Sequence, residues 1–196
     1  MILADSISKS FLSDKKSLSF AQERLWTLEQ IQPGLIIYHI PLLLHAQGRC
    51  DLSVLRSAVE ILFVRHSALR ATFHTENELP YQVIQELQID KIFSICQADV
   101  DTFKQKIQTE MERTFQLDTG PLAYVRVYQL SADEHFILFQ MHHIVTDGWS
   151  TRIILDELWE LYASLLSKQS SDLPPVGLSY FDFAELQRKQ YEDDLK

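Results

Sequence analysis

Two adjacent histidines and a nearby aspartate are the residues whose types and spacing point most clearly to chemistry. The stretch MHHIVTDGWS, residues 141–150, places His142 and His143 at the end of an apolar run, and Asp147 and Gly148 follow after three intervening residues. Imidazole has an unperturbed pKa close to neutrality, and a carboxylate can hold such a base in place. Because successive strand residues point to opposite faces, only one histidine is expected to face a given pocket. The residues alone indicate a candidate histidine base, or simply a strand that ends in a turn.

Other catalytic and metal-binding patterns are missing from the sequence. No G-x-S-x-G turn surrounds Ser150, no H-E-x-x-H pair is present, and five glycines leave little room for a phosphate loop. Cys50 and Cys96 are too few and too far apart for a disulfide framework or a zinc site. We therefore expect no metal site.

Composition and charge limit the classes of partner. The chain has 196 residues, enough for one domain or two small lobes, and carries 27 Asp and Glu against 18 Lys and Arg. No stretch is basic enough to follow a phosphate backbone, so nucleic acid is excluded as a partner. No apolar run is long enough to span a bilayer, and the first residues lack the pattern of a secretory signal. We expect a cytoplasmic protein without a membrane partner.

The first half of the chain is expected to begin with a lead-in or linker over residues 1–17. Ser19 is placed to cap a helix over FAQERLWTLEQI, which Pro33 and Gly34 end. The apolar, branched stretch at 35–48 predicts a strand, and its Pro41 places that strand at a sheet edge or bulge. Asp51 is placed to cap a second helix.

The remaining patterns predict two hairpins, a further strand and three helices. The hairpins are predicted at 69–76 with 81–87 and at 122–130 with 135–143. The strand is predicted at 92–98, and the first of the helices at 100–117. Ser150 is predicted to open the next helix, and the last helix begins near Tyr180. Strands and helices are intermixed without regular alternation, which favours an α/β sandwich with mixed strand directions.

Four motifs give the sequence a resemblance to a known family. MHHIVTDGWS resembles the H-H-x-x-x-D-G signature of the chloramphenicol-acetyltransferase-like superfamily, in the form typical of condensation domains of nonribosomal peptide synthetases. Three more segments are similar to motifs of those domains, in the same order: SFAQERLWTLEQ at 19–30, RHSALRATF at 65–73 and YFDFAELQ at 180–187. Departures from the family pattern occur at Ser67, Ala71, Glu185 and Leu186.

The resemblance implies both a fold and a reaction. The fold is a chloramphenicol-acetyltransferase-like sandwich lobe, a mixed sheet flanked by helices, with residues 18–196 forming the N-terminal subdomain of a condensation domain and the C-terminal subdomain absent. The reaction joins a donor acyl or peptidyl thioester to the amine of an acceptor aminoacyl thioester. Both substrates arrive on the phosphopantetheine arms of peptidyl carrier proteins, and no tightly bound cofactor is expected.

The resemblance also assigns roles to individual residues. His143 faces the reaction tunnel and is the catalytic candidate, whereas His142 is structural. Asp147 pairs with an arginine of the second motif, with Arg65 the first choice and Arg70 the second. Gly148 leaves its backbone N–H near the oxyanion, and Trp149 packs in the core. The candidates for the tunnel or its rim are Gln22, Arg24, Trp26, Trp149 and Ser150.

Three functional interpretations remain open. The first is a catalytic half-domain that needs the C-terminal lobe together with donor and acceptor carrier proteins, and that is inactive without that lobe. The second is a noncatalytic module that docks a carrier protein, and the third is an acyltransferase of the same superfamily that uses a free acceptor. The T-D-G-W-S form favours the subtype that joins an L-donor to an L-acceptor, and His142 excludes the heterocyclising pattern.

Overall fold

The computed structural model describes residues 15–195, which form seven strands and six helices. The strands are β1 (Lys16–Ser17), β2 (His39–Gln47), β3 (Ala71–Glu76), β4 (Leu79–Ile84), β5 (Phe93–Gln97), β6 (Ala123–Ser131) and β7 (Glu134–His142). The helices are α1 (Phe20–Ile31), α2 (Leu52–Arg65), α3 (Ile89–Ile92), α4 (Val100–Met111), α5 (Gly148–Ser167) and α6 (Tyr180–Asp194). Short 3-10 helices lie at Ile36–Tyr38 and Ser67–Arg70.

The strands form two sheets. The smaller sheet has the antiparallel order β1-β4-β3, and the larger sheet has the order β2-β7-β6-β5. In the larger sheet β5 runs parallel to β6 while the other neighbours are antiparallel. The predicted α/β architecture with a mixed sheet flanked by helices is therefore confirmed.

Local sequence signals explain the β3–β4 hairpin and the sheet edge. Asn77 and Glu78 take positive φ angles of 50° and 67° between β3 and β4, the conformation that tight hairpin turns need. Pro41 lies on β2, which is an edge strand, as predicted, because proline has no N–H to donate to a second neighbour. Strand β7 is central, so both of its faces are buried, and its buried residues are apolar except for His135, Gln140 and His142.

The helix boundaries confirm two predicted caps, correct a third cap and shorten one predicted helix. Ser19 and Asp51 cap α1 and α2, and Ser19 forms a full capping box with Gln22. Ser150 does not cap α5, because Asp147 accepts its backbone N–H and the helix begins at Gly148. Helix α4 ends at Met111 rather than at residue 117.

One core joins both sheets to the helices. Leu55, Val59 and Leu62 of α2 are fully buried against the side of α5 that carries Ile154 and Leu158. Each side chain of this size contributes roughly 1.5–3 kcal/mol of hydrophobic stabilisation when buried. The α2–α5 contact therefore fixes the end of α2 relative to the start of α5, where two of the four motifs lie.

The fold begins slightly before the predicted boundary. Lys16 and Ser17 were expected in the lead-in but pair with Gln82 and Tyr81 of β4 as strand β1. The rest of the predicted lead-in, residues 1–14, lies outside the described residues. Within residues 15–195, no helix is both long and apolar enough to cross a membrane.

Candidate functional site

The histidine pair lies where the central strand β7 ends. His142 is the last residue of β7, and His143 begins a turn that leads through Thr146 to helix α5. His142 is 2% exposed, whereas His143 is exposed. The two imidazoles therefore have different environments, as the alternation along a strand requires.

His142 stabilises the turn that carries His143. Its Nδ1 accepts a hydrogen bond from the backbone N–H of Ile144 at 3.0 Å, and its carbonyl accepts one from Val145 at 3.0 Å. Its ring packs edge-on against Phe115, with the ring centroids 5.8 Å apart. Burial is the main reason that the pKa of His142 falls from 6.5 to about 4, with smaller contributions from the neighbouring His39 and His143. At neutral pH this imidazole is uncharged and accepts the hydrogen bond.

His143 is held through its backbone. Its N–H donates to the carbonyl of Tyr38 at 2.8 Å, which ties the turn to the residue just before β2. Within residues 15–195 its imidazole makes no hydrogen bond, and it lines a cavity of about 630 Å³. The ring is therefore available to a ligand in that cavity.

Asp147 is the cap of helix α5. Its carboxylate accepts the backbone N–H of Ser150 at 2.7 Å and the Ser150 hydroxyl at 2.6 Å. These two bonds are the main reason that the pKa of Asp147 lies below its ordinary value, and positive charge on His143 adds to the effect. Gly148 is the first helical residue, its φ is not positive, and a Cβ there would meet no atom within 4 Å. This position therefore does not require a backbone conformation that only glycine adopts.

The expected ion pair between Asp147 and an arginine is also corrected. Arg65 lies at the end of α2 and binds Glu157 of α5 at 2.8 Å, and it also donates to the carbonyl of Pro174. His66 binds the same carboxylate at 2.5 Å. Arg70 donates to two backbone carbonyls, those of Phe63 at 3.0 Å and Gln85 at 2.6 Å. Both arginines are thus engaged elsewhere. Arg65 meets Glu157 because α2 packs on α5.

The cavity brings all four motifs together. It opens between α1, the end of α2, the turn after β7, the start of α5, and the segment that leads into α6. Among the predicted tunnel residues, those that line it are Gln22, Arg24 and Ser150, joined by Arg65, His143 and Asp147. Trp26 packs against the core instead. Trp149 is 81% exposed, so its predicted place in the core is wrong.

Two residues of the site region had no signal in the motifs. Glu157 lies on the helix that follows the histidine motif and receives both Arg65 and His66. Gln82 lies in β4, is 0% exposed, and accepts a hydrogen bond from Gln22 at 3.1 Å. A polar residue facing inward on a strand is a recognisable signal, but the alternation of β4 alone does not say which face is buried.

No metal cluster accompanies these residues in the described part of the chain. Among residues 15–195, no group of three or more His, Cys, Asp and Glu side chains lies close enough to hold a metal ion. Cys50 and Cys96 are free and partly buried.

Three curated relatives align with most of this chain. Malpinin synthetase of Mortierella alpina is 39% identical over 90% of the chain, and nonribosomal peptide synthetase dtxS1 of Metarhizium robertsii is 33% identical over 97%. Bacitracin synthase 3 of Bacillus licheniformis is 34% identical over 96%. The chain spans only 2–3% of the length of these relatives.

Solved structures share the fold. The starter condensation domain of rhizomide synthetase superposes with a TM-score of 0.80 at 20% identity, covering 92% of this chain and 46% of that one. The first condensation domain of the CDA synthetase gives a TM-score of 0.78 at 18% identity, covering 94% of this chain and 46% of that one. A family profile described as "Condensation domain" matches residues 13–196. The chain therefore belongs to the condensation domain family of nonribosomal peptide synthetases.

Proposed function

We propose that this chain is the histidine-bearing lobe of a condensation domain that forms an amide bond between two carrier-bound substrates. The donor is an acyl or peptidyl thioester on one peptidyl carrier protein. The acceptor is an aminoacyl thioester on another, and both are delivered on phosphopantetheine arms. His143 is the residue that contacts the acceptor amine.

The observation that carries this proposal is the position of His143 on the wall of the cavity. Its backbone is fixed to Tyr38, while its ring is free to meet a ligand. The cavity volume of about 630 Å³ lies within the range of sites that hold small ligands. The other two titratable side chains of the motif are engaged locally, since Nδ1 of His142 accepts from Ile144 and Oδ1 of Asp147 caps α5.

The chemistry needs one group near the amine. The amine nitrogen attacks the thioester carbonyl and gives a tetrahedral species with a negative oxygen and a nitrogen that must lose a proton. His143 hydrogen-bonds this N–H, either orienting the amine or taking its proton. Collapse of the tetrahedral species breaks the C–S bond, and the proton leaves with the donor arm as its thiol. The product is an amide on the acceptor carrier.

The reaction requires a second wall for the cavity. His143 and Asp147 are exposed, and the chain spans less than half of the condensation domains whose fold it shares. An open site admits water and does not hold the two phosphopantetheine arms in place. The acceptor amine would then not be positioned against the donor thioester. We therefore propose that the chain transfers little or nothing without the C-terminal lobe.

The test follows transfer between carriers. The chain is incubated with a donor-loaded and an acceptor-loaded carrier, with and without the C-terminal lobe, and both carriers are weighed by intact-protein mass spectrometry. His143→Ala removes the proposed contact, and His45→Ala serves as the matched control because His45 is half-exposed on β2 and bonded to Glu134. The expected result is donor mass on the acceptor carrier only when the lobes are combined, lost in His143→Ala and kept in His45→Ala.

Three outcomes would contradict the proposal. If the combined lobes transfer nothing while binding loaded carriers, the noncatalytic docking interpretation holds instead. If His143→Ala transfers as well as the wild-type chain, the assignment of His143 is wrong. Transfer to a free amine or alcohol in preference to the carrier-bound acceptor would support the acyltransferase interpretation.

A further inference from the structure

A buried glutamine on the smaller sheet connects that sheet to the turn that carries His143. Gln82 is the only buried residue of β4, the middle strand of its sheet, and is 0% exposed. A polar side chain in such a place needs partners for both ends of its amide. None of the four sequence motifs includes this residue.

The hydrogen bonds of Gln82 fix the orientation of its amide. Its Nε2 donates to the carbonyl of Ser17 at 2.8 Å, so its Oε1 faces Gln22 and accepts from the Nε2 of Gln22 at 3.1 Å. Gln22 is fixed in the same way, because its Oε1 accepts the backbone N–H of Ser19 at 3.0 Å. The two amides therefore form a buried chain with a single direction.

The far end of this chain reaches the turn. The second hydrogen of the Gln22 Nε2 points to the carbonyl of Ile144, 3.4 Å away. The other backbone bonds of the turn come from its own strand, through His142, and from Tyr38. Gln22 thus supplies the tie between the turn and helix α1.

We propose that Gln82 is a positioning residue for His143, acting through the Gln22 amide and the Ile144 carbonyl. The proposal rests on the proposed function, in which His143 contacts the acceptor amine. The imidazole of His143 has no hydrogen bond of its own within the described residues, so its direction depends on the backbone of its turn. Removing the Gln82 acceptor takes away one of the bonds that hold the Gln22 amide, and the bond from that amide to the Ile144 carbonyl weakens with it.

The test compares two buried glutamines. Gln82→Leu removes the amide that orients Gln22. Gln140→Leu is the matched control, since Gln140 is also 0% exposed and its Nε2 donates to the Met111 carbonyl at 3.2 Å, outside the turn. Gln140 lies closer to His143 in the sequence than Gln82 does, so the control is stringent.

A second variant keeps the test decisive if Gln82→Leu does not fold. Gln22→Glu retains an oxygen for the Ser19 N–H, so the capping box of α1 persists. It removes both donors, the one to Gln82 and the one to Ile144. The same loss of His143 positioning is expected from either variant.

Two readouts are measured. In the domain completed by its C-terminal lobe, Gln82→Leu and Gln22→Glu are expected to lower kcat by roughly 10-fold or more with KM for the acceptor carrier little changed, as misplacement of a reacting group does. In the chain alone, the imidazole NMR signal of His143, assigned with His143→Ala, is expected to shift or broaden. Gln140→Leu is expected to leave both kcat and the signal unchanged.

The outcomes separate this proposal from the proposed function. If the wild-type domain transfers nothing, the proposed function fails, while the NMR signal still decides whether Gln82 positions His143. If Gln82→Leu and Gln22→Glu leave the His143 signal and kcat as they are, the positioning role is wrong. If Gln140→Leu lowers kcat as much as Gln82→Leu does, the effect is general loosening of the fold and the proposal is overturned.

Discussion

The Nδ1 atom of His142 accepts a hydrogen bond from the backbone N–H of Ile144, two residues along the chain, at 3.0 Å. The bond closes the turn around His143 from its inner side, and it exists only while His142 is neutral, because a protonated Nδ1 is a donor. The buried histidine of the pair therefore keeps the exposed one in place. This division of roles follows from the alternation at the end of β7.

Protonation of His142 is expected to destabilise the protein in acid. The folded-state pKa of about 4 lies below the ordinary 6.5, so the unfolded chain takes up the proton first as the pH falls. Stability from this group is fully present above pH 6.5 and is lost between there and about pH 4, a loss of about 3 kcal/mol. His142→Asn keeps an oxygen for the Ile144 N–H but does not titrate. Urea unfolding from pH 4 to 7 should show this loss in the wild-type chain and a smaller one in the variant; parallel curves would contradict the assignment.

Arg65 is expected to be coupled energetically to Glu157 and not to Asp147. The Arg65 and Glu157 side chains are 17% and 13% exposed, and removing one leaves the other charge poorly solvated. Double-mutant cycles with alanine should give a coupling of roughly 1–2 kcal/mol for Arg65–Glu157 and close to zero for Arg65–Asp147. The exposed pair Arg56–Asp90 is the control and should give well under about 1 kcal/mol. A strong Arg65–Asp147 coupling would instead support the ion pair that the family resemblance implies.

Asp147 is expected to act on stability as a helix cap. Asp147→Ala should cost about 1 kcal/mol, because the Ser150 N–H loses its acceptor. Asp147→Asn keeps an acceptor oxygen and should change the free energy of unfolding by less than about 0.5 kcal/mol. Thermal unfolding of the two variants checks this. Equal, large losses in both would mean that the carboxylate charge matters and that capping is not its main role.

Trp149 is expected to contribute little to stability. Its side chain is 81% exposed, so Trp149→Ala should change the free energy of unfolding by no more than about 0.5 kcal/mol. Its fluorescence should be quenched by iodide, whereas that of Trp26, which packs against the core, should be protected. A destabilisation of about 3 kcal/mol would place Trp149 in the core, as the sequence indicates.

Local patterns predicted the parts of the site that are encoded locally. Ser19 caps α1 because its side chain bonds a residue three positions away, and Pro41 marks an edge because it lacks an N–H. The partner of Arg65 depends instead on how α2 crosses α5, which no short stretch encodes. The role of Gln82 could not be predicted for the same reason, since it depends on a hydrogen bond from Gln22 of α1.

The sequence contains the cap of α5, but the predicted cap, Ser150, lies three residues after the observed one, Asp147. In D-G-W-S both Asp147 and Ser150 are residues that cap helices well. The structure uses Asp147 as the cap and Ser150 as the residue whose N–H it accepts. The apolar side chain of Trp149 does not predict its burial either, because apolar residues are frequent on protein surfaces.

The most direct test of the central claim is the single-turnover rate of transfer in the completed domain, measured for the wild-type chain and His143→Ala with saturating loaded carriers. If His143 contacts the acceptor amine, the variant should be at least about 100-fold slower, while its unfolding midpoint stays unchanged because the ring is exposed. A rate within a few-fold of wild type, in a variant that folds equally well, would contradict the claim that this histidine takes part in the reaction.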